Sequence, residues 1–286
     1  MKLYTINTGS FKLDGGAMFG VVPKSMWNKI NPADENNLCS WALRCLLIED
    51  GNRLILIDNG NGDKQDANFF RHYYLHGDDT LDKSLAKYGF HRDDITDAIL
   101  THLHFDHCGG SISRDGDKLV PTFKNAKYWS NKEHWDWAVN PNEREKASFL
   151  KENILPIEDS GHLQFVDVSG GVKGKLGETS FAENISIRFV NGHTQAMMLP
   201  QIKYKGKTIV YMADLLPSAG HIPLPYVMAY DMFPLTTLNE KKSFLKEAVE
   251  NDYILFFEHD PVHECCNLDQ TEKGIRPKDF FKLEEI

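Results

Sequence analysis

Residues 101–110 read Thr101-His102-Leu103-His104-Phe105-Asp106-His107-Cys108-Gly109-Gly110 and follow directly on the short apolar run 95–100. In an extended chain successive side chains alternate sides, so the imidazoles of His102 and His104 project together. Asp106 and His107 come immediately afterwards, where the backbone can turn. Four metal-ligand side chains are thus packed into six residues. Neutral imidazole and carboxylate suit zinc, and also iron, manganese or cobalt. Thiolates are absent from the pattern, which argues against a structural cysteine-rich zinc site.

The same arrangement, an apolar run delivering a polar residue at its end, recurs further along. Ile185–Val190 leads to Gly192-His193-Thr194, residues 207–212 lead to Ala213-Asp214, and residues 253–257 lead to Glu258-His259-Asp260. In open α/β sheets the carboxyl ends of strands form the usual site crevice, so these segments are expected to converge with residues 102–107. A lone histidine is more often structural than a ligand. His193 and His259 gain weight only through this shared placement. Asp58, at the end of another apolar run, is read either as support for a ligand histidine or as a cap on the Asn59-Gly60 turn. Asp260 is read as ordering its loop.

The 286 residues, with 41% apolar and 26% charged side chains, fit one layered α/β domain spanning 1–286. A net charge of −9 disfavours nucleic acid as a partner, since phosphate recognition needs a clustered basic surface. The first residues read as a strand and lack the pattern of a signal peptide, and no apolar run reaches membrane-spanning length. A cytoplasmic protein without a membrane partner is the expectation. Cys39, Cys45, Cys108, Cys265 and Cys266 form neither an even set nor a CxxC pair, so no disulfide framework is expected. Cys108, next to a candidate ligand, is read as inert, with exposure to oxidation as the alternative.

Other segments supply scaffold. Residues 41–48 and 53–58 flank Glu49-Asp50-Gly51-Asn52 and predict a hairpin. Residues 68–90 show roughly helical spacing and predict a helix that stops at Tyr88-Gly89. Residues 131–150 predict an amphipathic helix interrupted near Asn140-Pro141. Three prolines in 220–234 predict an ordered irregular loop able to roof a pocket. Residues 241–250 predict a helix before the last ligand strand.

The HxHxDH stretch from His102 to His107, with His193, Asp214 and His259 following in order, resembles the metallo-β-lactamase fold superfamily over most of the chain. The resemblance implies a four-layer αββα sandwich with metals at one edge of paired sheets. It also implies that His102, His104 and His193 bind one divalent metal ion, that Asp106, His107 and His259 bind a second, and that Asp214 bridges them. All seven positions are filled. Two such cations, zinc first among the candidates, share a hydroxide and lower the pKa of its parent water. Asp214 would fix the metal spacing, and Asp106 would orient the nucleophile or take up a proton.

Gly192-His193-Thr194 resembles the GHT segment of glyoxalase II, quorum-quenching lactonases and methyl parathion hydrolase-like enzymes, but Gln195-Ala196-Met197-Met198 departs from the GHTPGH continuation. The stretch Gly15-Gly16-Ala17-Met18-Phe19-Gly20-Val21-Val22-Pro23 is similar to the N-terminal extension of the lactonase and methyl parathion hydrolase-like branch. That branch implies a small ester-like substrate, a lactone first, with Met18, Phe19, Trp27, Met197, Leu216 and His221 lining its pocket. Each of these residues taken singly reads equally as core. Lactonases of the branch carry a tyrosine shortly after the bridging aspartate, and Leu215-Leu216-Pro217-Ser218 offers none. Phosphotriester or thioester hydrolysis, and a mononuclear-iron persulfide dioxygenase-like oxidoreductase, are the alternatives. Exposed aromatic loops leave a homodimer open.

Overall fold

The computed structural model describes residues 1–168 and 177–286. They divide into two compact units, Met1–Gly9 with Leu43–Gly170 and Ser10–Ala42 with Gly171–Ile286.

One sheet hydrogen-bonds strands β1 (Lys2–Asp14), β2 (Leu38–Asp50), β3 (Arg53–Ile57), β4 (Asp97–Ile99), β7 (Lys127–Asn131) and β8 (Leu163–Val166) in the order β1-β2-β3-β4-β7-β8, and the first unit holds β1 up to Gly9, β2 from Leu43 and the other four strands. A separate hairpin comprises β5 (Ile112–Asp115) and β6 (Lys118–Pro121). The predicted β2–β3 hairpin is present, with Asp50 paired to Arg53 and Gly51 at φ 61° in the turn. From β3 onward the pairings β3–β4, β4–β7 and β7–β8 are parallel. Strands covered on both faces read as unbroken apolar runs, and Leu54, Ile55, Leu56 and Ile57 of β3 are all buried. Ile6, Leu47, Leu56, Ala98, Leu100, Tyr128, Trp135, Phe149 and Ile154 form one core cluster with Leu103 and Cys108 of the HxHxDH stretch.

Two sequence expectations are corrected here. Residues 68–90 are not one helix: Ala67–Phe70 is followed by turns, and a separate helix spans Leu81–Lys87. Asp66 and Thr80 each cap a helix start with their side chains, and a cap forces its own residue into extended backbone. Gly89 at φ 81° does end the second helix. Within 131–150 only Lys132–Val139 is helical, capped by Asn131, and the next helix is Lys151–Asp159. The interruption lies at Asn140, as its Pro141 neighbour requires.

The second unit is built on β9 (Glu178–Ala182), β10 (Ile185–Val190), β11 (Met197–Tyr204), β12 (Lys207–Tyr211), β13 (Ile254–Phe256), β14 (Cys265–Thr271) and β15 (Gly274–Phe281), in the order β15-β14-β13-β12-β11-β10-β9. All pairings are antiparallel except β12–β13. A parallel pair needs a crossover, and the helix Pro234–Glu250 supplies it, starting seven residues before the predicted 241. Pro234 sits at its first position, where the missing N–H is harmless. Arg188 of β10 makes a two-pronged ion pair with Glu247 of this helix, at 2.8 and 2.5 Å. The β14–β15 hairpin was not expected from sequence. Among the described residues no helix is long and apolar enough to cross a membrane, and all five cysteines are buried free thiols.

Candidate metal centre

Each ligand segment leaves the C-terminal end of a strand, as the sequence predicts. In the first unit, β4 ends at Ile99 and the chain passes through Leu100 and Thr101 into His102. Leu103 points into the core and its N–H donates to His134 Nε2 at 2.9 Å, which fixes the extended backbone between the two histidines. The short helix Phe105–Cys108 then turns Asp106 and His107 back. Gly109 and Gly110 let this turn approach the 59–62 loop, since an added Cβ would lie 2.2 Å from Asn61 O and 2.3 Å from Asn59 O, respectively. Buried Lys64 donates to the Gly109 carbonyl, and burial draws its ammonium down to about 8.

The three histidines of this segment share one feature. Each has one ring nitrogen held by a residue outside the expected ligand set. His102 Nδ1 lies 3.1 Å from Thr101 Oγ1, His104 Nε2 lies 3.1 Å from Glu145 Oε1, and His107 Nδ1 lies 3.1 Å from Asp58 Oδ2. The opposite nitrogens of the first two, His102 Nε2 and His104 Nδ1, are only 3.0 Å apart, a spacing that one cation between two lone pairs accommodates. Asp106 and His107 likewise offer donor atoms within 4.8 Å of each other. A partner on the far nitrogen fixes tautomer and ring orientation and raises ligand basicity.

Asp58 therefore supports His107 rather than capping the Asn59-Gly60 turn. Its carboxylate also accepts the Thr101 N–H at 2.8 Å and the Thr101 hydroxyl at 2.7 Å, from a backbone at φ 55°. Glu145 was not foreseen. It lies 41 residues from His104 in an irregular segment, with Trp137 Nε1 donating to it at 2.7 Å. Cys108 is fully buried, donates to Leu103 O, and is pushed up to about 12 by burial, which makes it inert.

The second unit repeats the pattern. His193 follows β10, Asp214 follows β12 and His259 follows β13. His193 Nδ1 is 2.9 Å from Asp231 Oδ1, and His259 Nδ1 is 2.8 Å from the Ala42 carbonyl. Their Nε2 atoms both face Asp214, His193 at 3.1 Å from Oδ2 and His259 at 3.3 Å from Oδ1. One carboxylate thus directs one oxygen at each imidazole. Ala213, just before it, adopts φ 40°. Asp231 was also missed by sequence reasoning; it stands 38 residues from His193 in the proline-rich loop.

That loop is ordered, as predicted, and tied down along its length. Met232 N donates to His193 O at 3.0 Å and Phe233 N to Gly192 O at 2.8 Å, while Ala229 N donates to Ala17 O at 2.8 Å. Lys241 Nζ, wholly buried, donates to Pro223 O, Leu224 O and Tyr226 O at 3.2, 3.4 and 2.6 Å. Its neighbour Glu240 accepts the N–H groups of Asn191 and Gly192 at 2.7 and 3.0 Å. Two adjacent helix residues thereby clamp the loop and the His193 turn. Burial shifts both toward neutrality, Glu240 up to about 7 and Lys241 down to about 7.

Met18, Phe19, Trp27, Met197, Leu216 and His221, the expected pocket residues, are all buried in this unit. Phe19 stacks on His221 (centroids 4.8 Å apart, 4° between planes) and on Trp27 (5.3 Å, 13°). His221 has both ring nitrogens engaged, Nδ1 with Ser218 Oγ at 2.8 Å and Nε2 with Met18 O at 2.9 Å. Burial lowers its pKa to about 3, so the ring is neutral. Tyr226 meets Phe19 edge-on at 6.1 Å. Asp260 orders its loop, accepting from Ala219 N, Val262 N and His263 N.

Comparison with known proteins agrees with this geometry. The family model of the metallo-beta-lactamase superfamily matches residues 44–259. N-acyl homoserine lactonase of Bacillus thuringiensis is 24% identical over 277 residues, covering 92% of this chain and 94% of that protein. A probable metal-dependent hydrolase from Staphylococcus aureus superposes with a TM-score of 0.87 at 26% identity, covering 99% of this chain and 97% of the other. The dizinc quorum-quenching lactonase AidC, solved with a product, superposes with a TM-score of 0.78 at 22% identity, covering 98% and 95%. With its mixed α/β sheets and the family model matching residues 44–259, the chain belongs to the metallo-beta-lactamase superfamily.

Proposed function

We propose that this chain is a dinuclear metal-dependent hydrolase that opens a lactone. One observation carries the metal reading: every ligand histidine has one nitrogen committed to a residue outside the set, leaving the other as donor, and Asp214 directs an oxygen at each of two imidazoles. Buried imidazoles and carboxylates together are a donor set that a divalent cation satisfies and an apolar core does not. Following the family pattern, His102, His104 and His193 would hold one metal ion and Asp106, His107 and His259 the other, with Asp214 shared. Zinc is the first candidate, with iron, manganese and cobalt also compatible with these donors.

When bound, the two ions supply a hydroxide nucleophile at neutral pH and a Lewis acid for the attacked carbonyl. The chain's residues hold that chemistry in place. Asp58, Glu145 and Asp231 keep His107, His104 and His193 in the ligating orientation. Asp106, less enclosed than its histidine neighbour, is positioned to orient the nucleophile and accept its proton. The stack of Phe19, Trp27 and His221 would back a substrate pocket, and Met18, Met197 and Leu216, buried in the same unit, are the other candidates for its wall. The lactone preference rests on relatives named as N-acyl homoserine lactonases that cover nearly the whole chain.

The test measures metal per chain together with initial rates on an N-acyl homoserine lactone and an aryl phosphotriester, using Asp214→Asn as control. About two divalent ions per chain and chelator-sensitive lactone opening, both lost in the variant, are expected. Preference for the phosphotriester would move the assignment to that substrate class. A single iron with oxygen consumption in the presence of a persulfide would replace hydrolysis by oxidation.

A further inference from the structure

The segment after Asp66 in the first unit carries four aromatic residues, Phe69, Phe70, Tyr73 and Tyr74. Two of them close on the HxHxDH stretch. The Phe105 ring meets Phe69 edge-on at 5.3 Å and Tyr73 at 4.6 Å. Phe105 stands between His104 and Asp106, so this packing sets Tyr73 beside the ligand segment, while Tyr74 points to solvent and is 52% exposed.

The Tyr73 hydroxyl is engaged differently from the buried Tyr128 hydroxyl. Tyr128 accepts from Phe123 N at 2.8 Å and donates to Ser111 O at 3.1 Å. Tyr73 makes ring contacts, and its hydroxyl has no hydrogen-bond partner among the described residues. The charge acting on it is the Asp106 carboxylate, and burial first, then that carboxylate, push its pKa up to about 12. It is therefore a neutral phenol with an O–H to give. The loop after Asp214 contains no tyrosine up to Pro225, and His221 has both nitrogens engaged.

We propose that Tyr73 is a catalytic residue that protonates the leaving oxygen of the lactone. The assignment rests on the lactone reading given above. Water oxygen bonds to the acyl carbon and the ring C–O bond breaks. The bond's electron pair goes to the ring oxygen, which takes the phenol proton. Tyrosinate recovers a proton from the water consumed, so the products are the hydroxy acid and an unchanged enzyme. Proton donation matters most when the leaving oxygen is a poor leaving group. An alkyl alkoxide needs it, and a phenolate does not.

The experiment compares Tyr73→Phe with the parent, both metal-loaded, on an alkyl lactone (N-hexanoyl homoserine lactone) and an aryl lactone (dihydrocoumarin). The expected result is a kcat lowered roughly 100-fold on the alkyl lactone and within about threefold on the aryl one, with KM and metal per chain unchanged. Phe69→Leu, which loosens the same packing but keeps the hydroxyl, is expected to affect both substrates alike. Equal losses on both substrates in Tyr73→Phe, or none on either, would overturn the assignment while leaving the hydrolase intact. Parent turnover of the aryl lactone alone would also overturn it. A parent inert toward both lactones would remove the lactone reading and this assignment with it.

Discussion

Asp231→Asn changes one buried charge without changing shape. Asp231 Oδ1 lies 2.9 Å from His193 Nδ1, and the two residues are each 2% exposed. A hydrogen bond to a charged group contributes about 1.5–3 kcal/mol, and loss of such a carboxylate behind a ligand histidine typically weakens metal binding about 10- to 100-fold. Tenfold corresponds to about 1.4 kcal/mol, so the two ranges overlap. The effect should fall on metal affinity, because asparagine can present either its oxygen or its amide to Nδ1 and no longer selects the tautomer that leaves Nε2 free. Titration of apo protein with zinc against a chromogenic chelator measures this directly. Glu247→Gln is the control, since it breaks the ion pair with Arg188 and touches no ligand. It should lower thermal stability and leave zinc affinity within about threefold, well short of the range for a supporting carboxylate. Zinc affinity in Asp231→Asn equal to that of the parent would refute the view that these carboxylates set the ligands' orientation.

Two further outcomes follow from the clamp on the His193 turn. Between about pH 4.5 and 7 the folded chain retains a proton at Glu240 that the unfolded chain has lost, so stability falls as pH rises; between about 7 and 10.5 the unfolded chain holds a proton at Lys241 that the folded chain lacks, so stability rises again. Urea midpoints from pH 5 to 9 should show a dip near neutrality, and Glu240→Gln should flatten its acid side; an unchanged profile in the variant would contradict this. Gly192→Ala should destabilise the fold by roughly 3 kcal/mol or more, because the new Cβ would meet Thr237 Oγ1, N and Cα at 2.3–2.5 Å. Calorimetry showing a melting temperature within a degree of the parent would refute it.

The candidate ligands were legible in sequence because each follows an apolar strand, and strand periodicity is a local signal. His102, His104, Asp106 and His107 declare themselves within six residues, and His193, Asp214 and His259 each follow a readable apolar run. The supporting carboxylates were not equally visible. Asp58 has a strand before it and was noticed, but Glu145 and Asp231 lie in irregular segments, and only tertiary structure brings them to His104 and His193. Helix 68–90 failed for a related reason. Its aromatic spacing mimics a helical period, but Asp66 and Thr80 cap two separate helices, and the aromatics between them pack on Phe105 instead. Tyr73 was hidden by that same misreading.

The proline-rich loop carries two cargoes on one rope. Its stretch from Pro223 to Tyr226 is moored to Lys241 and edges the aromatic stack, while a few residues on it hands Asp231 to His193. A graft that exchanges the whole of 220–234 for a relative's loop, in search of a new substrate, would swap the carboxylate behind His193 along with the residues beside the aromatic stack. Side chains within 222–230 can be redesigned as a cassette, provided that the backbone carbonyls at 223, 224 and 226 still receive Lys241, the 229 N–H still meets Ala17 O, and the chain returns to Asp231 with the Met232 and Phe233 N–H groups docked on the His193 turn.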